Sequence, residues 1–258
     1  MARRTHVLGT VGTALLAAAL PATVLPAEAT SLAPAGPPAG AGGPGGERRA
    51  PDQEGTVQAA DLLAATTACA PVSKGKYRVD AGAAATVPVC GATGAVFWKA
   101  DMDIDCDGQV TAHCNTTTDP WFQESTAFSQ SDGRPLNSEK LPFVVVPAPS
   151  ERWSYPASGI RGGGVVAVVH GGRVQYAVVG DTGPVGIIGE ASYATADGLG
   201  IPAHPQRGGV PSGVTYILFK NTRVSPIENH DEAVRLGEAL AKKFVRENGG
   251  AKYNGAAK

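Results

Sequence analysis

A mainly β fold with few helices is what this sequence predicts. Three observations carry that expectation. Short valine-rich runs recur at close spacing. Gly- and Pro-rich turns separate them. Only one long stretch, near the end, has helical periodicity. Short strands spaced this way suit a barrel or a sandwich.

The elements follow in chain order. Asp61 to Thr67 reads as a short helix, and Tyr77–Val79 and Ala84–Val89 as short strands. Gly94 to Ala100 reads as a strand that runs into an acidic loop. Pro142 to Pro147 is a strand framed by prolines. Val165–Val169 and Val174–Val179 flank His170-Gly171-Gly172-Arg173, a hairpin signal. Val214 to Phe219 is the last strand. Asn229 then caps a helix, with Glu232 three residues on and Ala233, Leu236, Leu240 and Phe244 at helical spacing. Lys242, Lys243 and Arg246 suit the negative end of its dipole, and Gly249-Gly250 stops it. This helix packs outside the sheet and carries no chemistry.

The chain has 258 residues, 43% hydrophobic, with a net charge of −1. That is enough for one domain with a core, and near-neutrality gives no footprint for nucleic acid. Arg3 and Arg4 precede an apolar run from Val7 to Leu20, and Ala27-Glu28-Ala29 fits a cleavage site. Residues 1–29 are therefore expected to be a secretory signal peptide. Residues 30–60 are rich in Ala, Pro and Gly and read as a flexible leader. The folded domain is placed at 61–250, with a tail at 251–258. No later segment is long and apolar enough to span a bilayer, so a secreted protein with no membrane partner is expected. Export favours disulfides among Cys69, Cys90, Cys106 and Cys114, which allow three pairings. Cys69–Cys90 with a local Cys106–Cys114 staple is preferred. Their spacing is unlike a zinc site.

Two stretches hold the candidate chemistry. In the first, Val178-Val179-Gly180-Asp181-Thr182-Gly183-Pro184 leads through Ile187-Ile188-Gly189 to Glu190-Ala191-Ser192-Tyr193. Two carboxylates end two short strands, the valine-rich run before Asp181 and Ile187-Ile188 before Glu190. Nine extended residues span roughly 30 Å, so the glycines must fold the chain back if both acids are to share a cleft. Glycosidic hydrolysis needs one carboxylic acid and one carboxylate. Thr182 or Ser192 is placed to hydrogen-bond one of them.

In the second, Asp101-Met102-Asp103-Ile104-Asp105-Cys106-Asp107-Gly108 puts carboxylates at every second residue, one face of a strand. Residues 95–130 hold six acids against Lys99, whereas the rest of the domain is net positive. A cationic ligand would answer this charge. Asp103, Asp105, Asp107 and Gly108 also match the first half of a calcium loop, but Cys114 stands where the closing Glu belongs. A solvated charge run is the plainer reading. No metal or cofactor is called for. Aromatic residues nearby, Phe97, Trp98, Trp121, Phe122, Trp153 and Tyr155, are core or sugar-stacking candidates.

The acidic DMDIDCDG run, Phe122-Gln123 and, above all, GDTGPVGIIGEASY resemble the secreted chitosanases of glycoside hydrolase family 75. The resemblance runs from about Tyr77 to Phe219. It implies endo-acting hydrolysis of β-1,4 links between glucosamine units of chitosan, with inversion. The family's essential Asp and Glu match Asp181 and Glu190. Asp181 is the weakly preferred acid and Glu190 the base. Asp101, Asp103, Asp105, Trp98, Gln123, Thr182, Ser192 and Tyr193 are then the substrate-binding candidates, and the enzyme is expected to be a monomer. Analogy with other inverting endoglycanases that use paired acids points to a β-barrel of double-psi, barwin-like topology with the C-terminal helix outside.

Other classes compete with this one. A non-catalytic carbohydrate-binding or wall-loosening module would bind chitosan without releasing reducing ends. Hydrophobic-G-D-T-G also suggests an aspartic protease, but a second copy of that string is absent, so only a homodimer would serve. No G-x-S-x-G appears. His113, His170 and His204 lack ligand spacing.

Overall fold

The computed structural model describes residues 53–249. The signal peptide, most of the leader and the tail lie outside them. The described chain runs α1 (Ala59–Ala65), β1 (Ala70–Pro71), β2 (Cys90–Ala92), β3 (Ala95–Asp105), β4 (Phe143–Pro147), β5 (Val165–His170), β6 (Arg173–Gly183), β7 (Glu190–Ser192), α2 (Tyr193–Leu199), β8 (Val210–Phe219) and α3 (His230–Asn248).

Six strands close into a barrel in the order β3-β7-β4-β6-β5-β8, and β8 pairs back onto β3. Two of the pairings, β3–β7 and β4–β6, are parallel. An up-and-down meander has none, so this barrel is of the crossed-over kind that a double-psi topology requires. β2 extends the sheet beside the first residues of β3.

Both barrel faces are apolar, which explains the near-continuous valine runs. Even-numbered residues of β3 (Val96, Trp98, Met102) point inward to meet Val144, Val166, Val168, Val179, Tyr216 and Leu218. Odd-numbered Ala95 and Phe97 point outward with Phe143, Val165, Tyr176, Val178 and Phe219. That outer layer is covered by Leu62 of α1 and by Ala233, Ala241, Phe244 and Val245 of α3. Asn229 caps α3 as expected, its side chain accepting from the Glu232 N–H at 3.1 Å. Glu54 joins this wall. It accepts from the Tyr176 N–H at 2.7 Å and from Gln175 Nε2 at 2.9 Å, and meets His230 at 2.7 Å.

The structure departs from the sequence reading in three places. The stretch expected to begin as an acidic loop after Ala100 stays strand as far as Asp105, the conformation in which its aspartates share a face. Tyr77 and Val87 meet only in an isolated bridge, and buried Tyr77 packs with the barrel-interior cluster. The short strand expected at Ile187-Ile188 falls instead at Glu190–Ser192 as β7, and helix α2 has no counterpart in that reading.

One irregularity decides where Asp181 goes. On β6, Val178 faces outward and Val179 inward, so strict alternation would send Asp181 into the barrel. The β4–β6 register shifts there: Val179 pairs with Val144, but Asp181 pairs with outward-facing Val145. Gly180 is the extra residue of a β-bulge, and it re-aims Asp181 to the outer face. Only glycine fits. A Cβ at position 180 would stand 2.5 Å from Cβ and Cγ of Phe143 and 2.8 Å from Leu136 Cδ1. Both neighbours are fully buried. Gly180→Ala is therefore expected to cost about 1–3 kcal/mol by overpacking and to displace Asp181. Urea unfolding should show the loss, and specific activity should fall further than the folded fraction does.

Candidate active site

The acids gather on the outer face at one end of the barrel. β7 runs parallel to the end of β3, with Glu190 beside Asp103 and Ser192 beside Asp105. Paired residues of a parallel ladder share a face, so Glu190 stands on the side of the odd-numbered aspartates. β4 follows in the sheet, and then β6 with its re-aimed Asp181. Asp105, Asp107, Val145, Asp181, Thr182, Gly183, Pro184 and Glu190 line one groove of about 220 Å³. The lining carries four carboxyls and no basic side chain. The glycine-hinged return from Asp181 to Glu190 thus brings both acids to one cleft.

The supports are local. Gly189 has φ +113°, and a Cβ there would stand 1.9 Å from Asp101 Oδ1, so the turn into Glu190 needs glycine. Buried Ser192 Oγ accepts the Phe143 N–H, donates to the Leu141 carbonyl and caps α2 through the Thr195 N–H. Ser138 Oγ donates to the Asp105 carbonyl and accepts the Tyr193 N–H at 2.9 Å. These bonds tie the ends of β3, β4 and β7 together. Cys106–Cys114 closes the loop just beyond Asp105, and Cys69–Cys90 is the other disulfide.

The four carboxyls differ in environment. Asp181 Oδ1 accepts the Ala127 and Thr182 N–H groups, both at 2.7 Å. Burial raises its pKa, and those two bonds pull it back. Glu190 is pushed up to about 8, by burial first and then by Asp103, Asp107, Asp181 and Asp119. Asp105 is raised well above the usual carboxylate range by burial and by Glu190, Asp181 and Asp107. Asp107 rises to about 6 through burial, offset by the Gln123 N–H at 2.6 Å. Beyond the groove, burial and Asp103 lift Asp101 to about 7.

The other sequence-derived candidates sort clearly. Asp105 and Thr182 line the groove, Thr182 holding Asp181 through its backbone. Gln123 acts on Asp107 through its backbone, while its side chain turns to the Trp121 carbonyl. Asp103 is exposed beside Glu190, and Asp101 is buried against Gly189. Tyr193 stacks on His113 with centroids 5.1 Å apart. Two assignments to substrate need correction. Trp98 is fully buried inside the barrel, stacked on Tyr216 at 5.5 Å, because it falls on the inward parity of β3. Ser192 is fully buried too, and its hydroxyl is spent on the bonds above. Sequence reasoning passed over Asp107 as a site residue, though it continues the alternation of β3. It could not see the Ala127 N–H, which arrives from 54 residues away.

One oxygen each from Asp105, Asp107 and Asp181 lies within 4.8 Å of the others, a spacing a divalent cation can bridge. The half-matched calcium loop is a different thing. It shares Asp105 and Asp107 with the trio, but its first position, Asp103, is not among the three.

A barrel whose outer groove holds buried and half-buried carboxyls in unlike environments has the equipment for general acid–base hydrolysis. Residues 102–246 match the model described as "Fungal chitosanase of glycosyl hydrolase group 75", more than half the chain, and the protein belongs to that family. It is 30% identical over 158 residues to "Endo-chitosanase C" of Aspergillus oryzae, covering 59% of this chain and 36% of that protein. It is 32% identical over 139 residues to "Endo-chitosanase" of Aspergillus fumigatus, covering 49% of this chain and 58% of that one. The chain thus spans from about a third to about three-fifths of these relatives' lengths. Among solved structures, "Streptomyces papain inhibitor (SPI)" aligns over 52% of this chain and 100% of its own at 20% identity with a TM-score of 0.30, a likeness without functional weight.

Proposed function

We propose that this protein is a secreted, monomeric endo-chitosanase that cleaves β-1,4 links between glucosamine units with inversion. One observation carries the reading: two acids in unlike environments, Glu190 and Asp181, line one groove. An inverting glycosidase needs that asymmetry. Glu190, with its pKa near 8, holds a proton at neutral pH and donates it to the leaving glycosidic oxygen. Asp181, steadied as an anion by two N–H groups, takes a proton from the water that attacks the anomeric carbon from the other side. This reverses the sequence-based preference, since the two N–H groups belong to Asp181 and Glu190 is raised to about 8.

Asp105 and Asp107 add negative charge that suits a polymer bearing ammonium groups. No cofactor enters the reaction, and neither nucleic acid nor membrane is a partner. Among the described residues no helix is long and apolar enough to cross a bilayer. Two disulfides suit an oxidising compartment.

The deciding experiment incubates the purified protein with chitosan, chitin and cellulose and follows the first product anomer by NMR. A fast fall in chitosan viscosity with the α-anomer appearing first is expected. Binding of chitosan with no new reducing ends would leave only a carbohydrate-binding module. A β-anomer first would end the inverting mechanism.

A further inference from the structure

The connection between β3 and β4, residues 106–142, is far longer than a barrel closure needs, and long ordered loops are usually functional. It carries a tryptophan turned to solvent. Trp121 is 72% exposed, whereas the chain's other tryptophans, Trp98 and Trp153, are 0% and 4% exposed. Its backbone is nonetheless tightly held. The Trp121 N–H donates to Asp119 Oδ1 at 2.9 Å, and the Trp121 carbonyl accepts Gln123 Nε2 at 3.1 Å. On one side, Phe122 is buried against Cys106 and Cys114. Two residues on, the Gln123 N–H grips the groove carboxylate Asp107.

The turn therefore reaches the groove through Asp107, and two residues of chain span at most about 7 Å. Asp119, which holds the Trp121 N–H, is also among the charges that raise Glu190 and Asp107. The tightly held turn that carries this largely exposed indole thus also holds a carboxyl of the cleft. A flat indole fits the C–H face of a pyranose ring, and its π face attracts an ammonium group. An amino sugar offers both on one ring.

We propose that Trp121 is an aromatic platform at the rim of the groove, on which one amino-sugar ring of the substrate stacks. The proposal rests on the chitosanase reading. Trp121 sets affinity and the position of the cut, and takes no part in the chemistry.

The test uses fluorescence, because Trp121 is the exposed one of three tryptophans. A glucosamine hexamer is titrated into Glu190→Gln, chosen to slow cleavage. The hexamer is expected to shift the emission to shorter wavelength and to shield it from acrylamide quenching. The same titration with Trp121→Phe added should give no emission change, while calorimetry still detects binding. On chitosan, Trp121→Ala in the otherwise unchanged enzyme is expected to raise KM about fivefold with kcat within about twofold, and Trp121→Phe to restore most of KM. If chitosan is cleaved and the hexamer binds, yet the emission is unmoved and Trp121→Ala keeps its KM, the platform is overturned and the chitosanase reading stands. If the unmodified protein neither binds nor cleaves chitosan, both fall.

Discussion

Replacing Glu190 by Gln is expected to lower kcat on chitosan by about 10²–10⁴-fold, the usual worth of a positioned general acid, and to leave the barrel folded. Gln keeps the shape of the side chain but has no proton to give to the leaving oxygen. The substitution should also change how stability depends on pH. Glu190 has its folded pKa raised to about 8, and unfolding returns it to the ordinary carboxylate range. Between those two values the folded state binds the extra proton, so stability falls as pH rises. The stabilising contribution is present in full below the unfolded pKa and is lost as pH climbs through about 8. Asp101 at about 7 and Asp107 at about 6 act in the same direction. The melting temperature of the unmodified protein should therefore decline from pH 4 to pH 8, and Glu190→Gln should flatten the upper part of that decline. Steady-state kinetics and thermal melts across this range check both halves. An active Glu190→Gln removes this residue from the mechanism. A variant that is inactive but shows an unaltered melting profile would mean that the proton is not held on Glu190.

The parts of this site that could be read from sequence are those with local causes. The His170–Arg173 hairpin, the Asn229 cap and the aspartates of alternate parity on β3 each follow from neighbours a few residues away. The same parity rule, applied to Trp98, would have placed it opposite those aspartates and inside the barrel. Its chemical suitability for sugar outweighed its position. Other features depend on distant groups. β7 is three residues long and exists because Glu190, Ala191 and Ser192 find β3 on one side while Ala191 also meets β4. The Gly180 bulge answers Phe143 and Leu136, far back in the chain. Within Val174–Gly183 only Gly180 hints that the alternation breaks there, since a glycine inside a strand often marks a bulge. Aspartate and glutamate could thus be named as a pair from their motif, but their different protonation could not. That difference comes from burial and the neighbouring Asp103 and Asp107 at Glu190, and at Asp181 from the Ala127 N–H, which arrives on the long loop.

Asp181→Asn tests the other half of the reaction, and its expected signature differs from that of Glu190→Gln. Asn retains an oxygen that can accept the Ala127 and Thr182 N–H groups, so the loop contact survives and the fold with it. It cannot take a proton from water. Turnover is expected to drop by about 10²–10⁴-fold, with KM little changed because ground-state binding is untouched. The pH profile separates the roles further. In the unmodified enzyme, activity should fall on the acid side as Asp181 gains a proton and on the alkaline side, near 8, as Glu190 loses one. In Asp181→Asn the acid limb should vanish from the residual activity while the alkaline limb remains. A small anion such as formate, entering the groove beside the substituted side chain, can act as a replacement base on the attacking water. Formate is therefore expected to restore part of the activity of Asp181→Asn and none of that of Glu190→Gln. Rescue of Glu190→Gln alone would exchange the two roles, and near-normal activity of Asp181→Asn without any added anion would sink the assignment of the base.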